Sequence, residues 1–291
     1  MLSLPDQWSA RAGSVVPWRR LRAVARAVAF VLVTGLLLAL FIVASVLGRI
    51  PRAVIRRLWC RFCLRLLGLE VRYRGEPMRA CATLFLANHV SYLDIVLLGA
   101  RTDATFIAKA EVAGWPLFGT IGKAAKTFFI RRRWRDALIQ RNTLAARMRD
   151  GESFILFAEG TSSSGLDVLP LKTSLLSVAE PWIMDRPIAV QSVTLAYRQL
   201  ADGTSITLSN CARYAWFGDA ELVPHLWSML HDDGCVVEVA FGEPVMSWSV
   251  ASRKCLGPAM RDSIRTVLES HTAQNTRSSG RNRAETARFA A

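Results

Sequence analysis

No GxSxG elbow, no HExxH pair and no second CxxC occurs in this sequence, and each absence closes a route to chemistry. Without the elbow, a lipid hydrolase reading has no serine nucleophile to rest on. Without HExxH, the four histidines offer no helical zinc pair. Cys60-x-x-Cys63 stands alone inside an apolar helical pattern, which suits packing better than zinc or redox chemistry. The six cysteines show no disulfide framework, as a reducing cytoplasmic location would leave them. Acidic residues are scarce as well, 23 against 37 lysines and arginines, for a net charge of +14. Such an excess fits nucleic acid or an anionic membrane. The sequence has no zinc-finger spacing and no RNP-type motif, and its apolar N-terminal segment decides for the membrane over nucleic acid.

The stretch Ala27–Gly48 lacks charge altogether, and as a helix it would span about 33 Å, enough to cross a bilayer. The run is too long for a signal peptide and no small-residue cleavage site follows it. Arginines stand on both sides (Arg11, Arg19, Arg20, Arg22 and Arg26 before; Arg49, Arg52, Arg56 and Arg57 after). The positive-inside rule therefore gives no orientation, and a helix that dips into one leaflet and returns fits equally well. Residues 1–20 read as an interfacial or disordered lead. Over 52–67, Val54, Ile55, Leu58, Trp59, Phe62 and Leu66 alternate with arginines at helical spacing. That pattern suits an amphipathic helix at an anionic lipid interface, or a domain helix with solvated arginines. We divide the chain into a membrane-anchoring segment 1–68, a catalytic domain 69–271 and a basic disordered tail 272–291.

Within 69–271 short apolar runs alternate with helical patterns. Strands are expected at Leu69–Tyr73, Thr83–Ala87, Thr105–Ala108, Thr127–Ile130, Ser153–Phe157, Ile188–Leu195 and Val236–Phe241. Helices are expected at Tyr92–Leu98, Trp134–Arg149, Thr173–Trp182, Pro224–His231 and Ser249–Ser270. The alternation predicts an α/β fold with a mostly parallel sheet flanked by helices.

Asn88-His89-Val90-Ser91-Tyr92-Leu93-Asp94 follows the second of these strands. Ser91 and Asp94 form a capping pair that starts a helix near Tyr92 and leaves His89 in the turn outside it. Along one continuous helix, five residues are roughly 500° of rotation and would put the two side chains on different faces. A helix start between them lets the imidazole fold back onto the carboxylate, which fixes one ring nitrogen and frees the other as a base. No protein nucleophile belongs to such a pair, so a substrate has to supply it. By itself a His-x4-Asp also suits a helix-cap histidine. Phe157-Ala158-Glu159-Gly160-Thr161, after another strand, is by itself an ordinary turn. His225 and His231 lie in an apolar stretch, and no metal site is expected.

Together NHVSYLD and FAEGT resemble the two signature blocks of the glycerolipid acyltransferases, the lysophosphatidic acid acyltransferase family, in order and in separation. The resemblance runs from about Leu69 to Pro244. It implies a membrane-bound O-acyltransferase that moves an acyl chain from an acyl thioester to a lysolipid hydroxyl. No cofactor is implied beyond the co-substrate, an acyl-acyl carrier protein or acyl-CoA. His89 and Asp94 become the catalytic pair, with backbone N–H groups at the start of the Tyr92 helix as an oxyanion hole. Glu159, Gly160 and Thr161 become acceptor-binding residues. Lys109 and Arg132 match cationic family positions that would meet an acidic headgroup or the donor's phosphates, a solvated surface role being the alternative. The implied location is the inner membrane, with the catalytic domain on its cytoplasmic side.

Two positions depart from the family pattern. Ala158 replaces a usual proline, and Ser162 replaces an arginine that suits a phosphomonoester acceptor. The run Glu159–Gly165, Val168-Leu-Pro-Leu-Lys172 and Tyr214-Ala-Trp-Phe-Gly-Asp219 look closer to the lyso-ornithine lipid branch. Lyso-ornithine lipid is therefore the favoured acceptor, with 1-acylglycerol-3-phosphate as the alternative and a silent lipid-binding protein as a distant third.

Overall fold

The computed structural model describes residues 17–47, 52–115, 118–131, 133–180, 183, 186–249 and 252–270. Arg132, residues 1–16 and the tail 272–291 lie outside the described residues. In chain order the elements are α1 (Pro17–Leu47), α2 (Arg52–Leu66), β1 (Leu69–Arg74), β2 (Thr83–Ala87), α3 (Leu93–Gly99), β3 (Thr105–Lys109), α4 (Phe118–Ala124), β4 (Phe128–Ile130), α5 (Ala137–Arg149), β5 (Phe154–Phe157), β6 (Ala189–Leu200), α6 (Leu222–His231), β7 (Cys235–Phe241), β8 (Val245–Met246) and α7 (253–270).

The strands form one sheet in the order β1-β7-β6-β2-β5-β3-β4, with β8 on β6. β2 runs parallel to β5 and β6, β3 parallel to β4 and β5, and β1 parallel to β7. β7 and β8 run against β6. The sheet is thus mostly parallel, as expected. All five residues of β2 are buried, because helices cover both faces of a parallel sheet and turn its strands into continuous apolar runs. Alternation along the strand sorts them by face. Phe85 and Ala87 pack with Leu93 and Leu97 of α3 and with Cys60 and Cys63 of α2, both cysteines being free thiols. Leu84 and Leu86 pack with Leu144 and Met148 of α5 and with Leu256 and Met260 of α7. The carboxyl ends of β2, β5 and β3 share one edge, and ligands of open α/β sheets bind in the crevice outside that edge.

Several expectations need correction. Residues 17–20 are not a lead but the first turn of α1, and its arginines face the domain. Arg19 and Arg22 pair with Asp233 at 3.4 and 2.5 Å. Arg22 and Arg26 also donate to the carbonyls of Leu230, His231 and Asp232. Those are carbonyls at the end of α6, which lack helical partners and carry its negative dipole end. Instead of a helix over Thr173–Trp182, a 3-10 segment spans Leu175–Ala179 with every residue buried. The apolar run reflects burial all round rather than one face of a helix. β6 runs on to Leu200 because Leu200 pairs with Cys235, past a bulge at Tyr197/Gln199. The expected Trp134–Arg149 helix divides into a 3-10 turn, Trp134–Asp136, and α5. The last helix starts at residue 253 rather than at Ser249.

The amphipathic helix forms as α2 and is bolted to both α1 and the domain. The Trp59 indole N–H donates to Thr34 Oγ1 at 3.0 Å, and Phe30 packs on the same ring. Arg56 donates to the Thr102 and Ala104 carbonyls, and Arg57 pairs with Asp103. Farther along, Leu37, Leu38 and Phe41 of α1 line an apolar cavity of about 300 Å³ with Asp103, Ala125 and Lys126. α1 therefore stays beside the domain at least as far as Phe41. Its other side exposes Val28, Val31, Leu32, Leu36, Leu40 and Val43.

Candidate active site

His89 stands where β2 ends, held from both sides in sequence. Asn88 places its side-chain amide on the Leu195 main chain of β6, donating to O at 2.9 Å and accepting from N at 2.8 Å. The Val90 carbonyl accepts the Trp216 N–H at 2.9 Å. The imidazole stacks on Phe157 with centroids 4.1 Å apart and an interplanar angle of 15°. Its side chain is 20% exposed, so a substrate can reach it.

Nδ1 of His89 lies 2.8 Å from Asp94 Oδ2. The same oxygen accepts the Val90 and Ser91 N–H groups at 2.7 and 2.9 Å, and Oδ1 accepts the Tyr197 hydroxyl at 2.9 Å. Asp94 is fully buried. An ionised carboxylate with no water around it needs such donors to stay charged. Facing an ionised carboxylate, Nδ1 carries the proton and Nε2 keeps its lone pair. The capping pair also forms: Ser91 Oγ accepts the Leu93 N–H at 3.4 Å, while Asp94 reaches back to the Ser91 N–H.

The Val90 and Ser91 N–H groups are spent on Asp94 and are not open to an oxyanion.

The second block is stitched to the first through the main chain. Gly160 closes a turn at the end of β5, its N–H on the Phe157 carbonyl at 3.0 Å and its φ at 75°, a region that favours glycine. The Ser163 N–H then donates to the His89 carbonyl at 2.8 Å. Gly165 lies so close that a Cβ there would fall 2.8 Å from Val90 Cγ2. Thr161 is exposed. Lys109 is exposed at the carboxyl end of β3, on the same sheet edge. Arg132 lies outside the described residues. The fold thus brings His89, Asp94, Glu159 and Gly160 together and sets Thr161 and Lys109 around them.

Glu159 is the least comfortable of these residues. It is only 2% exposed, and neither carboxyl oxygen closes a hydrogen bond. Burial pushes its pKa up to about 8, helped by the Asp94 charge. The His89 and Leu169 N–H groups and the Ser163 hydroxyl face it and pull it only partly back. At neutral pH it is mostly a neutral acid, able to donate as well as accept. A carboxyl raised in this way stabilises the fold fully below its unfolded pKa near 4.5, and that stability is lost as pH rises toward about 8. Glu159→Gln is therefore expected to flatten the fall in Tm between pH 5 and 8 and to be the more stable protein at pH 8. Parallel Tm profiles for the two proteins would exclude this.

Tyr197, Asn88 and Phe157 were not picked out as site residues from sequence. For Tyr197, 103 residues from Asp94, no local signal exists. Ser163 lies inside the second block and had one.

The same arrangement has relatives. A family profile described as Acyltransferase matches residues 70–194. Lyso-ornithine lipid O-acyltransferase of Brucella abortus (strain 2308) is 38% identical over 72% of this chain and 80% of its own length. The protein of that name from Rhizobium meliloti (strain 1021) is 36% identical over 79% of this chain and 80% of its own. A 1-acyl-sn-glycerol-3-phosphate acyltransferase of Neisseria gonorrhoeae is 32% identical over 69% of this chain and 75% of its own. The crystal structure of the 1-acyl-sn-glycerophosphate acyltransferase PlsC from Thermotoga maritima superposes with a TM-score of 0.63, covering 88% of this chain and 98% of that one at 19% identity. Fold, profile and relatives matched over most of their length agree: this chain is an acyl-transferring enzyme of the acyltransferase family.

Proposed function

We propose that the enzyme transfers an acyl chain from an acyl thioester to the hydroxyl of a lysolipid, with lyso-ornithine lipid as its preferred acceptor. The observation that carries the reaction is the Asp94-held imidazole with Nε2 free, in a turn that the second block fastens down. His89 Nε2 takes the hydroxyl proton as the oxygen attacks the thioester carbon. The C–S bond then breaks, and the imidazolium returns the proton to the leaving thiolate. The Tyr92 N–H, which has no partner among the described residues, is the main-chain donor of this turn assigned to the oxyanion. No acyl-enzyme is required, since the thioester arrives activated. Both carrier protein and coenzyme A present that group.

The acceptor is argued from charge. A phosphomonoester carries nearly two negative charges and favours a dedicated cation cluster. Ser162 removes one such cation. Lyso-ornithine lipid instead offers a secondary hydroxyl on an amide-linked chain, a carboxylate and an ammonium. Glu159 and the hydroxyls from Thr161 to Ser164 suit that zwitterion, with Lys109 toward its carboxylate. The four relatives bearing this acceptor's name are 33–38% identical, above the two Neisseria proteins at 32%. Given both acceptors and one acyl thioester, the purified enzyme is expected to consume lyso-ornithine lipid first. Strong preference for lysophosphatidic acid would overturn the ranking, and Lys109 or Arg132 would then be the replacement cation to test.

Membrane association follows from α1 and from the lipid-acylating relatives. Crossing would need about 20 residues clear of the domain, yet α1 lies against it as far as Phe41, six residues before the helix ends. We read the α1–α2 pair as dipping into one leaflet of the inner membrane, with its outer apolar face in lipid and the domain on the cytoplasmic side. In a chain without native cysteines, Arg20→Cys and Ser209→Cys should label from the same side of sealed vesicles. Labelling from opposite sides would establish a crossing.

A further inference from the structure

Beside the His89 turn stands a group of aromatic rings that acyl transfer does not use. The Trp216 N–H, on the Val90 carbonyl, pins the 214–219 segment to the residue after His89. The Trp216 indole meets the Tyr92 ring at 5.8 Å and 68°, and the Trp115 indole at 6.4 Å and 88°. Trp115 arrives from the other side, past the end of β3, and is 40% exposed. Behind them the Tyr92 hydroxyl and His225 Nδ1 share a hydrogen bond of 2.9 Å. His225 is buried, and burial lowers its pKa to about 4, so it stays neutral with its ring facing the Ala212 and Ala215 main chain. α6, the segment before Trp216 and the start of α3 therefore hold one another in place.

Two nearly perpendicular indoles can both approach a single small cation, as aromatic cages do. Elsewhere arginines already stand over Trp18, Tyr73, Phe128 and Phe154. Among the described residues none stands over Trp115 or Trp216.

We infer that Trp115 and Trp216 bind the primary ammonium of the acceptor headgroup and so set acceptor specificity. The inference rests on the lyso-ornithine reading and adds the site that recognises its charge. With an extended side chain the ammonium lies about 10 Å from the reacting oxygen, so its site belongs beside the catalytic turn rather than on it. The Trp216 main chain is bonded to Val90 and its ring meets Tyr92, so the pair stands beside the residues that follow His89 in the turn. Lysophosphatidic acid has no cation to place there.

The test compares kcat/KM for lyso-ornithine lipid with that for the same lipid acetylated on its side-chain amine. Wild type is expected to favour the charged acceptor by about 5- to 30-fold, the range of a partly desolvated cation–π contact. Trp115→Ala should bring the ratio close to one by raising KM for the charged acceptor. Trp216→Phe, which preserves packing, should lower it part of the way, and Trp248→Ala, at a remote exposed tryptophan, should leave it alone. An unchanged ratio in Trp115→Ala, or equal losses on both acceptors, would overturn the inference. A wild type that uses both acceptors equally would overturn the inference and leave the acceptor reading standing. A wild type that acylates only lysophosphatidic acid would overturn both.

Discussion

His89→Ala is expected to fold, to stay with the membrane and to lose acyl transfer by about 10²- to 10⁴-fold or more, the contribution of a positioned general base. That range is about 3–5 kcal/mol of transition-state stabilisation. An alcohol is a poor nucleophile at neutral pH, and His89 is the group placed to take its proton as attack proceeds. The ring is partly exposed, and Asp94 keeps its Val90, Ser91 and Tyr197 donors without it. Folding should therefore be little affected, and the loss should appear in kcat. His89→Gln sharpens the test, because an amide can donate to Asp94 but cannot carry the proton. Near wild-type turnover in either variant, at equal membrane yield, would remove His89 from the mechanism.

Asp94→Asn should be nearly as damaging to turnover and should also cost stability. Four donors (His89 Nδ1, the Val90 and Ser91 N–H groups and the Tyr197 hydroxyl) converge on the two oxygens of a fully buried carboxylate. Asparagine keeps one oxygen and turns an NH2 group toward the rest. Each buried donor left without an acceptor costs about 1–3 kcal/mol. If the amide NH2 faces His89, Nδ1 becomes the acceptor, the proton moves to Nε2 and the base is lost. In the serine protease triad the equivalent change costs about 10⁴ in kcat. Steady-state kinetics beside thermal unfolding will separate the two effects. Tyr197→Phe, which removes one donor without touching the tautomer, should be much milder. An Asp94→Asn enzyme within tenfold of wild type would refute the carboxylate's role.

What the sequence revealed and what it concealed divide along the range of the interactions. β2, the turn at His89 and the start of α3 lie within a dozen residues, so apolar runs and capping chemistry were enough to place them. The same local logic marked β5 and Gly160. Tyr197 and Leu195 reach the site only through the β6–β2 pairing, which no local pattern encodes. The burial of Glu159 depends on the Ser163 and Leu169 segment folding over it. The arginines before Ala27 looked interfacial because their acceptors, the carbonyls at the end of α6, are more than 200 residues away. A buried carboxylate also competes for the donors that a helix start exposes, and spacing does not show which of them stay open to an oxyanion.

The account's central claim is that the lysolipid hydroxyl, activated by His89, attacks the thioester directly. The most direct measurement is the intact mass of purified wild-type enzyme after mixing with acyl thioester, with and without lyso-ornithine lipid. The account predicts unmodified protein in both samples, with free thiol and acylated lipid formed together only when the lysolipid is present. An acyl adduct on the protein that forms without lysolipid, and passes into lipid when lysolipid is added, would contradict it.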